Sequence, residues 1–131
     1  MGEVKLEVSG YYTLLNLHKA LIEAKFNLNP DNYEVAASPI IAQLCKEVTE
    51  LLIQHELNTK GKESWSEWLK LRNRPDYRNR VLHRMCDCSS WCEMDLDTKR
   101  KVTLNYISPF TCTDAELDEL ISEFESVEPR P

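Results

Sequence analysis

The chain has 131 residues, of which 42% are hydrophobic and 29% charged, and its formal net charge at pH 7 is −6. This length suits one domain with a sizeable core, and the apolar content excludes a chain that is disordered throughout. No window approaches the roughly 18 to 20 apolar residues of a membrane span, and the N-terminus lacks the layout of a signal peptide. We therefore expect a soluble, cytoplasmic protein that does not associate with membranes.

The first nine residues carry the alternation that is typical of a short strand. Val4, Leu6 and Val8 alternate with charged residues, which predicts a half-buried strand within residues 1–9. From Tyr11 the apolar residues recur every three or four positions, and this spacing predicts a first helix to about Phe26. Turn-forming residues at 27–32 predict a loop after it.

The most clearly marked helix begins at Ser38-Pro39. Serine is a good N-cap, and proline is tolerated at the first helical position because its missing N–H needs no partner there. The apolar stripe of this helix, which we expect to be buried, consists of Ile41, Leu44, Cys45, Val48, Leu51, Leu52 and His55. The helix should end near Asn58, with Gly61 in the exit turn.

Two helices are predicted in the middle of the chain. Residues 64–67 read Ser-Trp-Ser-Glu, which is the spacing of a capping box, and predict a short helix through Trp65 and Trp68 to Arg72. Pro75 forbids continuation of that helix and suits the first turn of the next, which should extend to Met85.

Two more helices are predicted near the C-terminus. Residues 102–107 are compatible with a strand, but the aspartates at 95 and 97 and the stop at Ser108-Pro109 favour a helix over 96–107. Thr113 and Glu116 form a second capping box. The final helix has an apolar stripe of Leu117, Leu120, Ile121 and Phe124.

These elements predict an all-α or mainly α fold. We expect a single compact bundle of five to six amphipathic helices in one domain that spans residues 1–131, with a frayed tail at 128–131. His18 and His55 lie on apolar stripes, so both are predicted to be core residues. We also expect at least two of Trp65, Trp68 and Trp91 to pack in the core.

The cysteines are concentrated in one segment. His83, Cys86, Cys88 and Cys92 place one imidazole and three thiols within ten residues, which makes them candidate zinc ligands. Cys86 and Cys88 are one residue apart and no second ligand pair exists, so the spacing disfavours a metal site. We therefore predict no metal and no other cofactor, and reduced thiols. A thiol enzyme or redox sensor remains the alternative, because nearby arginines favour a thiolate.

The motifs of common enzymes are missing. There is no P-loop and no dinucleotide-binding glycine pattern, and the chain contains three glycines in all. The sequence assigns no catalytic residue and favours a role other than catalysis.

Charge is unevenly distributed along the chain. Residues 70–84 contain six bases, Lys70, Arg72, Arg74, Arg78, Arg80 and Arg84, and one acid, Asp76. Residues 113–128 contain seven acids and no base. Either the basic segment binds the phosphates of a nucleic acid, or the two segments pack together and offset each other. The net negative charge of the chain favours the second interpretation.

A small acidic helical domain without catalytic motifs is typical of a protein that binds another protein. We predict an interaction module of inhibitor, immunity or adaptor type, since an acidic protein associates quickly with a basic partner. The candidate partner-binding residues are Glu116, Glu119, Glu123, Arg74, Arg78 and Arg80. A thiol- or metal-dependent enzyme is the second hypothesis, and nucleic-acid binding through residues 70–84 is the third.

Overall fold

The computed structural model describes residues 3–127, and they form a mainly α-helical fold, as predicted. The helices are α1 (Tyr11–Lys25), α2 (Glu34–Ala37), α3 (Pro39–Lys60), α4 (Trp65–Trp68), α5 (Pro75–Met85), α6 (Leu96–Ile107) and α7 (Asp114–Val127). Two single 3-10 turns, Leu71–Asn73 and Trp91–Glu93, connect them. The tail predicted at 128–131 lies outside the described residues. None of the helices within residues 3–127 has both the length and the apolar character that are needed to cross a membrane.

The predicted N-terminal strand is wrong. Residues 3–9 have no regular secondary structure, and the side chains of Val4 and Leu6 are 100% and 86% exposed. A strand needs a neighbour to accept its backbone hydrogen bonds. The other strand candidate, residues 102–107, belongs to α6, so the predicted helix is confirmed there and no neighbour is left.

All six helices predicted from the sequence are present, although α4 ends at Trp68 and not at Arg72, and the structure adds the short helix α2. Turn chemistry explains this helix, since Oδ1 of Asn32 accepts a hydrogen bond from the N–H of Glu34 at 2.9 Å. The loop predicted at 27–32 precedes this helix, and the asparagine turn at the end of that loop begins one helical turn.

The ends of α3 follow the sequence prediction closely. Oγ of Ser38 accepts a hydrogen bond from the N–H of Ile41 at 3.1 Å, which caps the helix. Gly61 adopts a left-handed conformation with φ of 72° and donates its N–H to the carbonyl of Leu57 at 3.0 Å. The helix continues to Lys60, slightly beyond the predicted end.

The predicted buried stripe of α3 is only partly correct. Cys45, Val48 and Leu52 are buried, but Leu44 and Leu51 are 38% and 52% exposed. His55 is also exposed, and its ring stacks on Tyr11 with centroids 4.6 Å apart. The apolar residues of α3 extend around more of the helix than its neighbours cover, so the edge of the stripe faces solvent.

The two predicted capping boxes have different outcomes. At the start of α7, Oγ1 of Thr113 accepts the N–H of Glu116 at 3.1 Å, and Oε1 of Glu116 accepts the N–H of Thr113 at 2.8 Å. At α4 the box does not form, because Ser64 makes no side-chain cap bond. Glu63 replaces it, and its Oε2 accepts the N–H of Ser66 at 2.8 Å.

One core residue joins the C-terminal ends of α1 and α6. The Nζ of Lys25 is buried and donates hydrogen bonds to the carbonyls of Asn105 at 2.5 Å and Tyr106 at 2.7 Å. Burial lowers the pKa of Lys25 to about 7. In the hydrophobic core, the predicted stripe of α7 and Trp91 are buried, and Trp65 and Trp68 are half-buried against the same core.

Candidate functional site

Four of the predicted partner-binding residues meet at the seam between the basic segment 70–84 and α7. Arg78 Nη1 lies 2.6 Å from Oε2 of Glu123 in an ion pair. A cavity of about 350 Å³ beside this pair is lined by Leu71, Arg72, Arg78, Cys112, Glu116, Glu119, Leu120 and Glu123. The prediction that the acidic helix packs against the basic segment is therefore confirmed.

Other arginines of the basic segment bind the backbone. Arg80 Nη1 donates to the carbonyl of Phe26 at 3.4 Å, and Arg84 Nη2 donates to the carbonyl of Leu28 at 3.0 Å. These carbonyls follow the end of α1, where helices leave acceptors without partners. Both side chains thus stabilise the turn after α1, and neither joins the seam cavity.

The opposite side of α7 is also charge-paired, with bases from α6. Arg100 makes two hydrogen bonds to the carboxylate of Asp118, at 2.9 Å and 3.0 Å. Lys99 lies 2.6 Å from Oε2 of Glu125, which also accepts the indole N–H of Trp91 at 3.1 Å. These hydrogen bonds hold the pKa values of Asp118 and Glu125 below their usual range. The acidic helix is therefore partly neutralised on both sides.

The cysteine segment does not form a ligand cluster. Among residues 3–127, no three His, Cys, Asp or Glu side chains are arranged to hold a metal ion, which includes His83, Cys86, Cys88 and Cys92. All five cysteines are free thiols. Outside this segment, burial raises the pKa of the Cys45 and Cys112 thiols, which favours their protonated form.

A second cavity lies among α1, α3 and α4, and sequence analysis did not identify it. It has a volume of about 340 Å³ and is lined by Leu15, His18, Lys19, Glu56, Ser64, Trp65 and Trp68. The His18 ring stands edge-on to both indoles, with centroids 5.0 Å from Trp65 and 5.5 Å from Trp68. We call this cavity the tryptophan pocket.

The polar groups of the tryptophan pocket have few partners. Glu56 is 9% exposed, and its Oε1 accepts the N–H of Ser64 at 2.9 Å. None of the ion pairs in residues 3–127 includes Glu56. The indole N–H of Trp65 is buried, and no hydrogen-bond partner for it lies within the same residues.

The imidazole of His18, which also lines this pocket, is favoured in its neutral form. Burial, and secondarily the positive charge of Lys19, lowers its pKa below the usual 6.5. The prediction that His18 is a core residue is confirmed, whereas the same prediction for His55 is wrong.

The sequence contained one signal for the pocket that the helix analysis passed over. Glu56 follows Leu52 by four residues and Thr49 by seven, so it lies on the buried face of α3. A carboxylate on a buried face requires a polar partner. The sequence prediction for α3 was based on its apolar residues alone, so it made no statement about Glu56.

Comparison with protein-family models, with curated protein sequences and with solved structures finds no match.

Proposed function

We propose that the protein is a small acidic interaction module that binds another protein, in the manner of an inhibitor, immunity protein or adaptor. The main support is the solvent-facing side of α3, where Ile40 is 79%, Leu51 52% and Leu44 38% exposed. At 3.6 residues per turn these positions lie within about 40° of one another around the helix axis. We call these three residues the α3 face.

The surroundings of the α3 face resemble the anatomy of a protein interface. Gln43, Glu47 and Gln54 are exposed beside it, and Gln43 donates a hydrogen bond to Glu47 at 3.3 Å. An apolar centre with a polar rim is typical of surfaces that bind proteins.

Charge favours a basic partner. The net charge is −6, and the arginines at 78, 80 and 84 are already engaged inside the molecule. Glu119 is exposed on α7 and belongs to none of the ion pairs in residues 3–127. Such uncompensated acids attract a positively charged protein and increase its association rate.

The experiment compares two identical substitutions on α3. Leu51→Asp places a charge in the α3 face, whereas Leu57→Asp places the same charge about 120° around the axis, at a position that is also exposed. The partner is first isolated from the source cells with the unmodified protein and identified by mass spectrometry. Its affinity for each purified variant is then measured by calorimetry.

We expect Leu51→Asp to weaken binding about tenfold or more, because a charge at an apolar interface centre must be desolvated. Leu57→Asp should leave the affinity nearly unchanged. Equal affinities for the two variants would remove the α3 face from the interface. The absence of any stoichiometric protein partner would contradict the interaction module itself.

A further inference from the structure

We infer that the tryptophan pocket binds an organic cation, a guanidinium or an alkylammonium group. The chemistry is the same whether the cation is the side chain of a basic peptide or a free amine. If the ligand is a peptide side chain, the inference rests on the proposed function, because the peptide belongs to a protein partner. If the ligand is a free amine, the inference is independent of the proposed function.

The carboxylate of Glu56 has no cationic partner among residues 3–127. Glu56 is almost completely buried, and its identified hydrogen bonds come from Ser64, the N–H at 2.9 Å and the hydroxyl at 3.5 Å. A buried carboxylate without a cation is costly, since two neutral donors replace only part of its hydration. A guanidinium or ammonium group would supply charge-assisted hydrogen bonds to it.

Two tryptophan side chains, Trp65 and Trp68, line the pocket. Cations bind favourably over indole rings, and Trp68 already does so on this molecule, with the guanidinium of Arg74 at 5.0 Å from its ring. No cation in residues 3–127 lies over the ring of Trp65. The indole N–H of Trp65 is buried and has no partner among the described residues, and a water or the carbonyl of a peptide ligand would satisfy it.

The charges around the pocket permit a cation. His18 has a lowered pKa and is neutral near pH 7, so it does not repel a positive ligand. Lys19 does oppose a cation, but it is exposed, and solvent and salt screen its charge. The carboxylate of Glu56 is therefore the group in the pocket that attracts a cation.

The size of the pocket limits the ligand. A volume of about 340 Å³ is at the lower end of the range for ligand sites. It suits one cationic group with its attached methylenes, and Leu15 provides apolar surface for them.

The first test uses the unmodified protein and three probes. N-acetyl-arginine methylamide represents a peptide side chain, and agmatine represents a free amine. N-acetyl-citrulline methylamide has nearly the same shape as the first probe and no charge. Binding is followed by tryptophan fluorescence and by NMR shifts of the indole N–H groups.

We expect saturable binding of both cations, and citrulline should bind at least about tenfold more weakly because it lacks the charge that Glu56 attracts. Tighter binding of the arginine probe would indicate a peptide ligand, and tighter binding of agmatine a free amine; either supports the inference. No saturable binding of any cation, or equal binding of citrulline, would overturn it.

The second test changes the pocket. Glu56→Gln keeps an acceptor for Ser64 and removes the charge, and it should weaken cation binding about tenfold. Its control is Glu50→Gln, which removes an exposed acid from the same helix. Lys19→Gln should strengthen binding, because it removes an opposing charge. Unchanged affinity in Glu56→Gln would overturn the inference.

Two further measurements keep the outcome interpretable. If circular dichroism shows that Glu56→Gln does not fold, cation binding by the pocket is tested with Trp65→Phe and with the citrulline probe. Neither of these alters the buried carboxylate. Leu51→Asp should bind agmatine normally. A failure of the tryptophan pocket is thereby distinguished from a failure of the α3 face.

Discussion

The single residue His18 makes the stability of the fold depend on pH. Its ring is buried against two tryptophans, and burial lowers its pKa below 6.5. The unfolded chain therefore takes up a proton at a higher pH than the folded chain does. Acidification through this range favours the unfolded state, because the folded protein must either desolvate a charge or remain neutral.

We predict that the free energy of unfolding decreases as the pH falls from about 6.5 toward 5. His18→Gln should flatten this decrease, whereas His83→Gln, at an exposed position, should not. The measurement is urea denaturation at a series of pH values. The window lies above the usual pKa of the carboxylates, so their titration contributes little to the difference. A slope that is unchanged in His18→Gln would show that another group is responsible.

Residue-scale features were only partly predictable from the sequence. Burial of Cys45 and His18 followed from helical periodicity, because both lie on apolar stripes. The hydrogen-bond partners of Lys25 and Glu56 were not predicted, since periodicity says nothing about which distant carbonyl or amide will meet a charged group. Lys25 finds its acceptors some 80 residues away along the chain.

In helix α3, membership of the apolar stripe does not by itself predict that a side chain is buried. Leu52 lies near the centre of the buried face and is 0% exposed, whereas Leu44 lies roughly 100° from that centre and reaches solvent. Both leucines carry the same signal in sequence. The neighbouring helices, chiefly α1, decide which of them is covered.

We predict that Leu52→Ala lowers the free energy of unfolding by about 2 to 5 kcal/mol, because it removes buried methyl groups and leaves a cavity. Leu44→Ala should cost below about 1 kcal/mol, since water already reaches that side chain. Both values come from denaturant titration followed by circular dichroism. Similar losses for the two variants would mean that Leu44 is covered in solution.

At helix ends too, tertiary contacts decide whether a pattern in the sequence forms its expected hydrogen bonds, as the two capping boxes show. Thr113 and Ser64 stand in equivalent local patterns, and only Thr113 forms the reciprocal pair with its glutamate. At α4 the glutamate at position 67 pairs with Lys70 at 2.7 Å, and Glu56 takes the N–H of Ser64. A local pattern predicts a helix start correctly, but a tertiary partner can replace its hydrogen bonds.

At the scale of the whole molecule, opposite charges are paired across helices. Arg78 pairs with Glu123, Arg100 with Asp118, and Lys99 with Glu125. The basic segment therefore contributes to packing and leaves less free positive charge at the surface. Ion pairs of this kind are partly exposed, and each contributes little to stability. Their main effect is on the electrostatic field that a ligand meets at the surface.

This pairing leads to a prediction about nucleic acid. A phosphate-binding surface requires free arginines and lysines, and Arg78, Arg80 and Arg84 are engaged within the molecule. The net charge of −6 adds a repulsive field. We expect no sub-micromolar binding to duplex DNA or single-stranded RNA at physiological salt, measured by fluorescence anisotropy.

The control for this prediction releases one arginine. Glu123→Gln removes the carboxylate that pairs with Arg78, so weak binding at low salt should increase and then disappear as salt is added, because released counterions drive such binding. Glu47→Gln makes the net charge less negative by the same amount at an exposed site on α3 and should have a smaller effect. Tight binding by the unmodified protein that is lost when Arg74, Arg78 and Arg80 are replaced by alanine would contradict the proposal. The seam between residues 70–84 and α7 would then be a phosphate site that opens, with Glu123 competing against the nucleic acid for Arg78.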